Sequence, residues 1–161
     1  MSKFAFLIRP YVALDLPAIR EMWGRSIREL GPRAYSPEQV AAWAVRTNDM
    51  DRLGERLGDG RQVWVAEGVT EEPIGFIDLE EDGHIDFLYA APEAAGQGVA
   101  VRLFAEVERA AKAAKISRLH TEASEVARGF FERMGFVMLH RRELELDGVP
   151  IHNWKMEKQL A

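Results

Sequence analysis

The stretch YAAPEAAGQGVAVRLF, residues 89–104, sets Gly96 and Gly98 two apart. They follow an apolar segment that reads as a strand and precede one that reads as a helix. The first N–H groups of a helix lack internal partners and point outward. Glycine there lets the main chain approach a ligand closely, and the helix end favours an anion. The chemistry implied is phosphate binding. Just upstream, in GHIDFLYA, the period of two puts His84, Asp86 and Leu88 on one strand face. A ring that titrates near neutrality therefore shares a face with a carboxylate.

The elements that position these groups follow from periodicity and punctuation. Phe4, Phe6 and Ile8 alternate, as a first strand would. Asp15 reads as an N-cap, with Pro17 in the first turn of a helix that buries Ile19, Met22, Trp23, Ile27 and Leu30 and stops at Gly31-Pro32. Ser36, Pro37 and Gln39 predict a capping box that opens a second helix. A short helix is expected around 50–57. Strands are expected over 62–67, 73–81 and 84–90, the last two joined at Asp82-Gly83. A long helix over 98–115, a strand over 117–122 and a helix capped by Ser124 and closed by Gly135 come next. A hairpin over Asp147-Gly148 completes the chain. The strands flanking the long helix are parallel because their crossover is helical, and the remainder are antiparallel. The order predicts one mixed α/β (α+β) domain over residues 1–161.

Composition narrows the function. The 161 residues suffice for one domain with a real core. The absence of cysteine excludes a disulfide framework, a thiolate zinc site and a cysteine nucleophile, and it fits a reducing compartment. A net charge of −5 disfavours nucleic-acid binding and mildly favours a cationic substrate. Arg9 and Pro10 interrupt the first apolar run too early for a signal peptide, and no run approaches the roughly 18 apolar residues of a membrane span. A cytoplasmic protein that binds neither nucleic acid nor membrane is expected. No metal ligand spacing is present, and His120, His140 and His152 read as structural or exposed.

Three phosphate loops compete for the glycine pair. A Walker loop needs Lys-Ser/Thr after the last glycine, which is missing here. A Rossmann fingerprint needs a third small residue where Val101 stands, and an antiparallel meander precedes the loop. The third is the pyrophosphate loop of acyl-CoA-dependent N-acetyltransferases. The chain resembles the GNAT (Gcn5-related N-acetyltransferase) superfamily over essentially its whole length. The family motif Arg/Gln-x-x-Gly-x-Gly/Ala falls on residues 95–100, AGQGVA, and a second motif falls on residues 124–136, SEVARGFFERMGF. GVPIHNWKMEK and YSPEQVAAWA resemble its YafP-like bacterial branch. Ala95 replaces the usual Arg or Gln, Ser124 an Asn, and Phe131 the Tyr that protonates the leaving thiolate in many members.

The resemblance implies a GNAT fold, with helices on both faces of a mostly antiparallel sheet, and acetyl-CoA as acyl donor to a primary amine of a small molecule or peptide. It implies an oxyanion and pantetheine site at Leu88, Tyr89 and Ala90, and a pyrophosphate site on Gly96, Gln97, Gly98, Val99, Ala100 and Val101, with Ser124 and Phe131 beside the cofactor. An alkylamine is protonated at neutral pH, so a base is needed. His84 is the first choice, and Asp86 orients it, binds the substrate ammonium or acts as base itself. Tyr35 is read as a pocket or packing residue and as one alternative proton source. Trp43 reads equally as acceptor contact or packing, and Glu122 as cleft-facing or a surface charge. A homodimer through the C-terminal hairpin is a further expectation. The competing functions are a non-catalytic acyl-CoA-binding module and a nucleotide-binding protein.

Overall fold

The computed structural model describes residues 4–160, so the ends of the domain predicted over 1–161 lie outside the described residues. The elements are β1 (Phe6–Pro10), α1 (Leu16–Leu30), α2 (Pro37–Ala44), α3 (Met50–Leu57), β2 (Gln62–Gly68), β3 (Pro73–Leu79), β4 (His84–Ile85), β5 (Leu88–Ala90), α4 (Val99–Ala113), β6 (Arg118–Ala123), α5 (Arg128–Arg133), β7 (Val137–Leu146) and β8 (Val149–Gln159).

The strand predicted over 84–90 is two strands in two different sheets. β5 is the last strand of a sheet ordered β1-β2-β3-β5, and β4 the first of a sheet ordered β4-β6-β8-β7. β5 runs antiparallel to β3, with Phe76 opposite Tyr89. β4 runs parallel to β6, with His84 opposite His120. Asp86 and Phe87 form the joint. Its cause is the carboxylate of Asp78 on β3, which is fully buried. One oxygen, Oδ1, accepts the backbone N–H groups of Asp86 at 2.9 Å and Phe87 at 2.7 Å. Main-chain donors held by a side chain cannot also continue a strand ladder, so the chain turns out of the first sheet here. The other oxygen, Oδ2, accepts from Arg61 Nη1 at 2.7 Å.

Neighbouring residues of β3 show why helices cover both faces. A Cβ on Gly75 would lie 3.0 Å from Val99 and 3.1 Å from Leu103, so α4 packs hard against this face. Phe76 points the other way and stacks on Tyr89, whose ring lies 5.8 Å from that of Trp23 on α1. The core runs between these helices and the sheet through Ile19, Ile27, Phe76, Ile77, Leu103 and Phe104.

Local signals account for several boundaries. Ser36 Oγ accepts from Gln39 N while Gln39 Oε1 accepts from Ser36 N, the capping box read in the sequence. Asp147 and Gly148 take φ of 50° and 81°, as a tight two-residue hairpin turn requires. Two predicted caps are corrected. Asp15 closes a short 3-10 turn before α1: its carboxylate accepts from Val12 N and pairs with Arg9, so it does not cap the helix. Ser124 likewise closes a turn, its Oγ accepting from Ala127 N, and α5 begins only at Arg128.

The joint gives a direct test. Asp78→Ala leaves two buried N–H groups without an acceptor and strips Arg61 of its shortest carboxylate contact. A loss on the order of 3 kcal/mol is expected in denaturant unfolding, with Asp78→Asn costing less because its amide oxygen still accepts. An unchanged midpoint for Asp78→Ala would show that the joint is held by something else.

Candidate active site

The joint opens a cleft of about 460 Å³ between β5, the glycine loop and the start of α5. Gly96 and Gly98 have φ of 75° and 82°, left-handed values that explain why glycine stands at both positions. A Cβ at either would meet nothing within 4 Å, so the space beside them is open to a ligand. Gly98 is the N-cap of α4. Among the described residues, no protein acceptor outside the helix takes the N–H groups of Gly96, Gly98, Val99, Ala100 or Val101. Gln97 differs from its neighbours: its N–H donates to Ala94 O at 3.2 Å and it does not line the cleft. Its predicted cofactor contact is corrected to a turn bond.

Leu88, Tyr89, Ala90 and Ser124 line the cleft, and Ala95 lines it without a polar side chain to offer. The one charged side chain among the described lining residues is Arg133, at the end of α5. Sequence reasoning passed over it because it stands at a variable position of the second motif. Amides at a helix start, a basic side chain and an apolar wall suit a diphosphate ester with a long neutral arm.

A second cavity, of about 130 Å³, lies behind the first. Tyr35, Trp43, Asp86, Glu122, Phe131 and His152 are among its walls. Leu88, Tyr89, Trp43 and Ser124 line both cavities, so the two meet at β5. Phe131, expected beside the cofactor, lines this inner cavity instead, and its ring packs edge-on against Phe136 in the core. Tyr35 is committed on both sides. Its hydroxyl donates to His152 O at 2.9 Å and accepts from Glu125 N at 2.8 Å, and burial raises its pKa. It is thus a poor proton source and a good tie between the helical layer and the second sheet.

The titrating groups are arranged differently from the sequence reading. Asp86 does not orient His84. His84 is held by two other carboxylates, with Nδ1 on Glu80 and Nε2 on Glu122 Oε1 at 2.8 Å. Burial alone would lower its pKa, but bonds to Glu122 and Glu80 outweigh it and lift the ring to about 9. His84 is an imidazolium at neutral pH, so the expectation of a base poised near pH 7 is corrected. Burial would raise Glu122, but His84 and Lys155 together hold it at about 2. Glu122 faces the inner cavity, whereas His84 sits behind it. The donor atoms of His84, His120 and Glu122 lie within 4.8 Å of one another, a grouping that the sequence spacing did not reveal. Lys155 Nζ, 2.8 Å from Glu122 and 3.1 Å from His120, already supplies a cation there.

Arg61 plays the same part beside the joint. Its side chain is 7% exposed and it pairs with Asp78, Asp59, Asp86 and Glu80. Asp86 receives both Arg61, at 3.1 Å, and Arg56, at 3.2 Å, on the single oxygen Oδ2. Arg61, Asp78 and Glu80 were absent from the sequence reading. The usable signal was Asp78 itself, a lone charge inside the apolar run PIGFIDL.

Comparison with known proteins agrees with this fold. The model of the GNAT acetyltransferase domain matches residues 32–158. The chain is 34% identical over 149 residues to the uncharacterized N-acetyltransferase YafP of Escherichia coli strain K12, covering 92% of this chain and 93% of that one. A crystal structure of a GCN5-related N-acetyltransferase from Rhodopseudomonas palustris is similar at a TM-score of 0.89 and 32% identity, over 99% of this chain and 98% of that chain. The PaiA N-acetyltransferase of Thermoplasma acidophilum, crystallised with coenzyme A, shares the fold at a TM-score of 0.76 and 21% identity, over 97% and 99% of the two chains.

The carboxylate clamp on His84 makes stability depend on pH. His84 is raised from 6.5 to about 9, so its contribution is full below pH 6.5 and is lost as pH rises through 9. Glu122 is lowered from 4.5 to about 2, so its contribution is full above pH 4.5 and is lost as pH falls through 2. Melting temperatures of the wild type and His84→Gln should converge as pH rises from 6.5 past 9. A gap that stays constant across that range would show that the ring is not held protonated.

Proposed function

The chain belongs to the GNAT acetyltransferase family, and we propose that it carries an acetyl group from acetyl-CoA directly to a primary amine of a small molecule or peptide. The proposal treats residues 1–161 as one acetyltransferase domain acting in the cytoplasm. Among the described residues no helix is long and apolar enough to cross a membrane. The proposal includes a homodimer formed over β7, whose Val137, Met138 and Leu139 are exposed. The observation that carries the reading is the junction of two cavities at Leu88 and Tyr89, one lined by free helix-start amides and the other by carboxylates.

In this reading acetyl-CoA supplies an activated thioester, and the protein does the rest. The amides of residues 96 and 98–101, with Arg133, hold the diphosphate. The edge of β5 aligns the pantetheine arm as an added strand would be aligned, and its N–H groups receive the charge that develops on the carbonyl oxygen. Asp86 Oδ1, left unpaired by the two arginines on Oδ2, holds the incoming ammonium. Glu122 links the inner cavity to His84, which accepts the amine proton only in its neutral form. The departing thiolate needs little help, since a thiol has pKa near 8.5. Ser124 lines both cavities with its oxygen on Ala127 N, which leaves its O–H to face the leaving sulfur where Phe131 offers none.

Two measurements test this. In the first, titration calorimetry with acetyl-CoA should show binding to the wild type and at least a tenfold loss in Gly98→Val, because a β-branched side chain at φ 82° would both strain the loop and fill the open space. Wild-type protein that ignores acetyl-CoA, or a variant that binds it equally, would sink the cofactor site. In the second, free-CoA release is followed against pH with a peptide α-amine, whose own pKa lies near 8. The kcat/KM should keep rising to an apparent pKa near 9 that belongs to His84. His84→Gln should lose that limb and leave acetyl-CoA affinity unchanged. A wild-type plateau by pH 8 would remove His84 from proton transfer.

A further inference from the structure

A third cavity, of about 400 Å³, opens on the other side of Asp86 and Tyr89. Its floor is aromatic, from Trp23, Trp43 and Tyr89. Three arginines, Arg46 after α2 and Arg52 and Arg56 on α3, line one side. Arg56 is committed to Asp86. Neither Arg46 nor Arg52 has a carboxylate within ion-pair distance among the described residues. Three carboxylates also line the cavity. Asp49 caps α3, accepting from Arg52 N at 3.0 Å, while Asp86 lies at the joint and Asp147 at the β7–β8 turn.

The charges are unequally divided between elements. Arg46, Arg52 and Arg56 outnumber the one carboxylate of the helical wall, Asp49, whereas the sheet and hairpin side carries only Asp86 and Asp147. The net charge of −5 pointed to a cationic substrate, but the field at a cleft is set chiefly by the groups that line it. A cavity with opposite charges on facing walls matches a molecule with opposite charges at its two ends. We propose that the acceptor is an amine carrying an anionic group, a carboxylate or a phosphorus oxyacid. Its ammonium meets Asp86 Oδ1 at the edge of β5 and its anion meets Arg46 and Arg52. Guanidinium groups bind either anion in a planar, two-pronged contact. The aromatic floor takes the short carbon chain between them. This assignment rests on the acetyltransferase reading and goes beyond it by naming the acceptor class.

The test uses matched acceptors in the free-CoA release assay with acetyl-CoA: short ω-aminocarboxylates, L-α-amino acids, aminoalkylphosphonates of the same lengths, and n-alkylamines without an acid group. In the wild type, an acid-bearing acceptor should exceed its plain amine in kcat/KM by about 100-fold or more. Arg52→Ala and Arg46→Ala should each reduce that preference by about 10- to 100-fold, the range expected for a lost charge-assisted hydrogen bond, with activity on plain amines and acetyl-CoA affinity unchanged. The carboxylate and phosphonate arms identify which anion the site reads. Plain amines accepted as well as acids by the wild type would overturn the proposal, and so would variants that slow all acceptors equally. Calorimetry of the same compounds on CoA-loaded protein separates this failure from failure of the enzymatic reading. Acid-dependent binding that Arg52→Ala weakens supports the pocket even without turnover, and no binding of any acid-bearing compound rejects it.

Discussion

One carboxylate decides the architecture. Asp78 sits inside the first sheet, where an ionised side chain is costly to place unless donors surround it. It has three, namely the backbone N–H groups of Asp86 and Phe87 and the guanidinium of Arg61. Burial drives its pKa up to about 7, against the pull of those donors. Because two of the donors are consecutive main-chain groups, satisfying Asp78 means taking residues 86 and 87 out of the ladder. The segment that follows stays with β3, and the one before it joins β6. The cleft between β5 and β6 is the consequence. A uniformly paired strand over 84–90 would have left no exposed edge at residues 88–90 and no junction between the cavities.

The same solution to buried charge appears twice more around the joint. Arg61 gathers four carboxylates from three segments, so its removal would leave a cluster of like charges rather than one broken pair. Lys155 stands between Glu122 and His120. Arg61 lets several carboxylates sit close to the cleft without repelling one another, and Lys155 compensates the charge of Glu122. What reaches the two cavities that meet at β5 is then one free oxygen of Asp86 and the outer side of Glu122, while Asp49 and Asp147 border the third.

Much of the scaffold was legible because its causes are local. The glycine pair, the start of α4, the Ser36 and Gln39 box and the Asp147-Gly148 turn each depend on residues within a few positions of one another. The parallel pair followed from the helical crossover between β4 and β6. The break at Asp86 and Phe87 was hidden because alternation continues through it, and its cause lies eight and nine residues upstream on another strand. The state of His84 was hidden for a similar reason. The sequence shows a histidine two residues from an aspartate, but the groups that hold it are Glu80, across the hairpin, and Glu122, 38 residues away. Side-chain pairing over such separations leaves no periodic trace. Arg133, Arg46 and Arg52 were missed because an arginine on a helix is usually a solvated surface charge, and only the fold shows which ones border a cavity.

Phe131 and the clamped His84 make sense together. In the family pattern a tyrosine at this position serves the leaving thiolate, and here a phenyl ring closes the core behind the inner cavity instead. Position 131 thus offers no acid, and in the proposed reaction thiolate stability makes one least necessary on the sulfur side. His84 is held in the protonated form behind Glu122, which borders the inner cavity. In the proposed reaction the amine must still lose its proton, and holding it against the thioester in a fixed orientation lowers the rest of the barrier. A site that depends on positioning needs several fixed contacts on its acceptor rather than one. In the proposed reading Asp86, held in place by Arg56 and Arg61, is the first such contact and the arginines of the helical wall are the second.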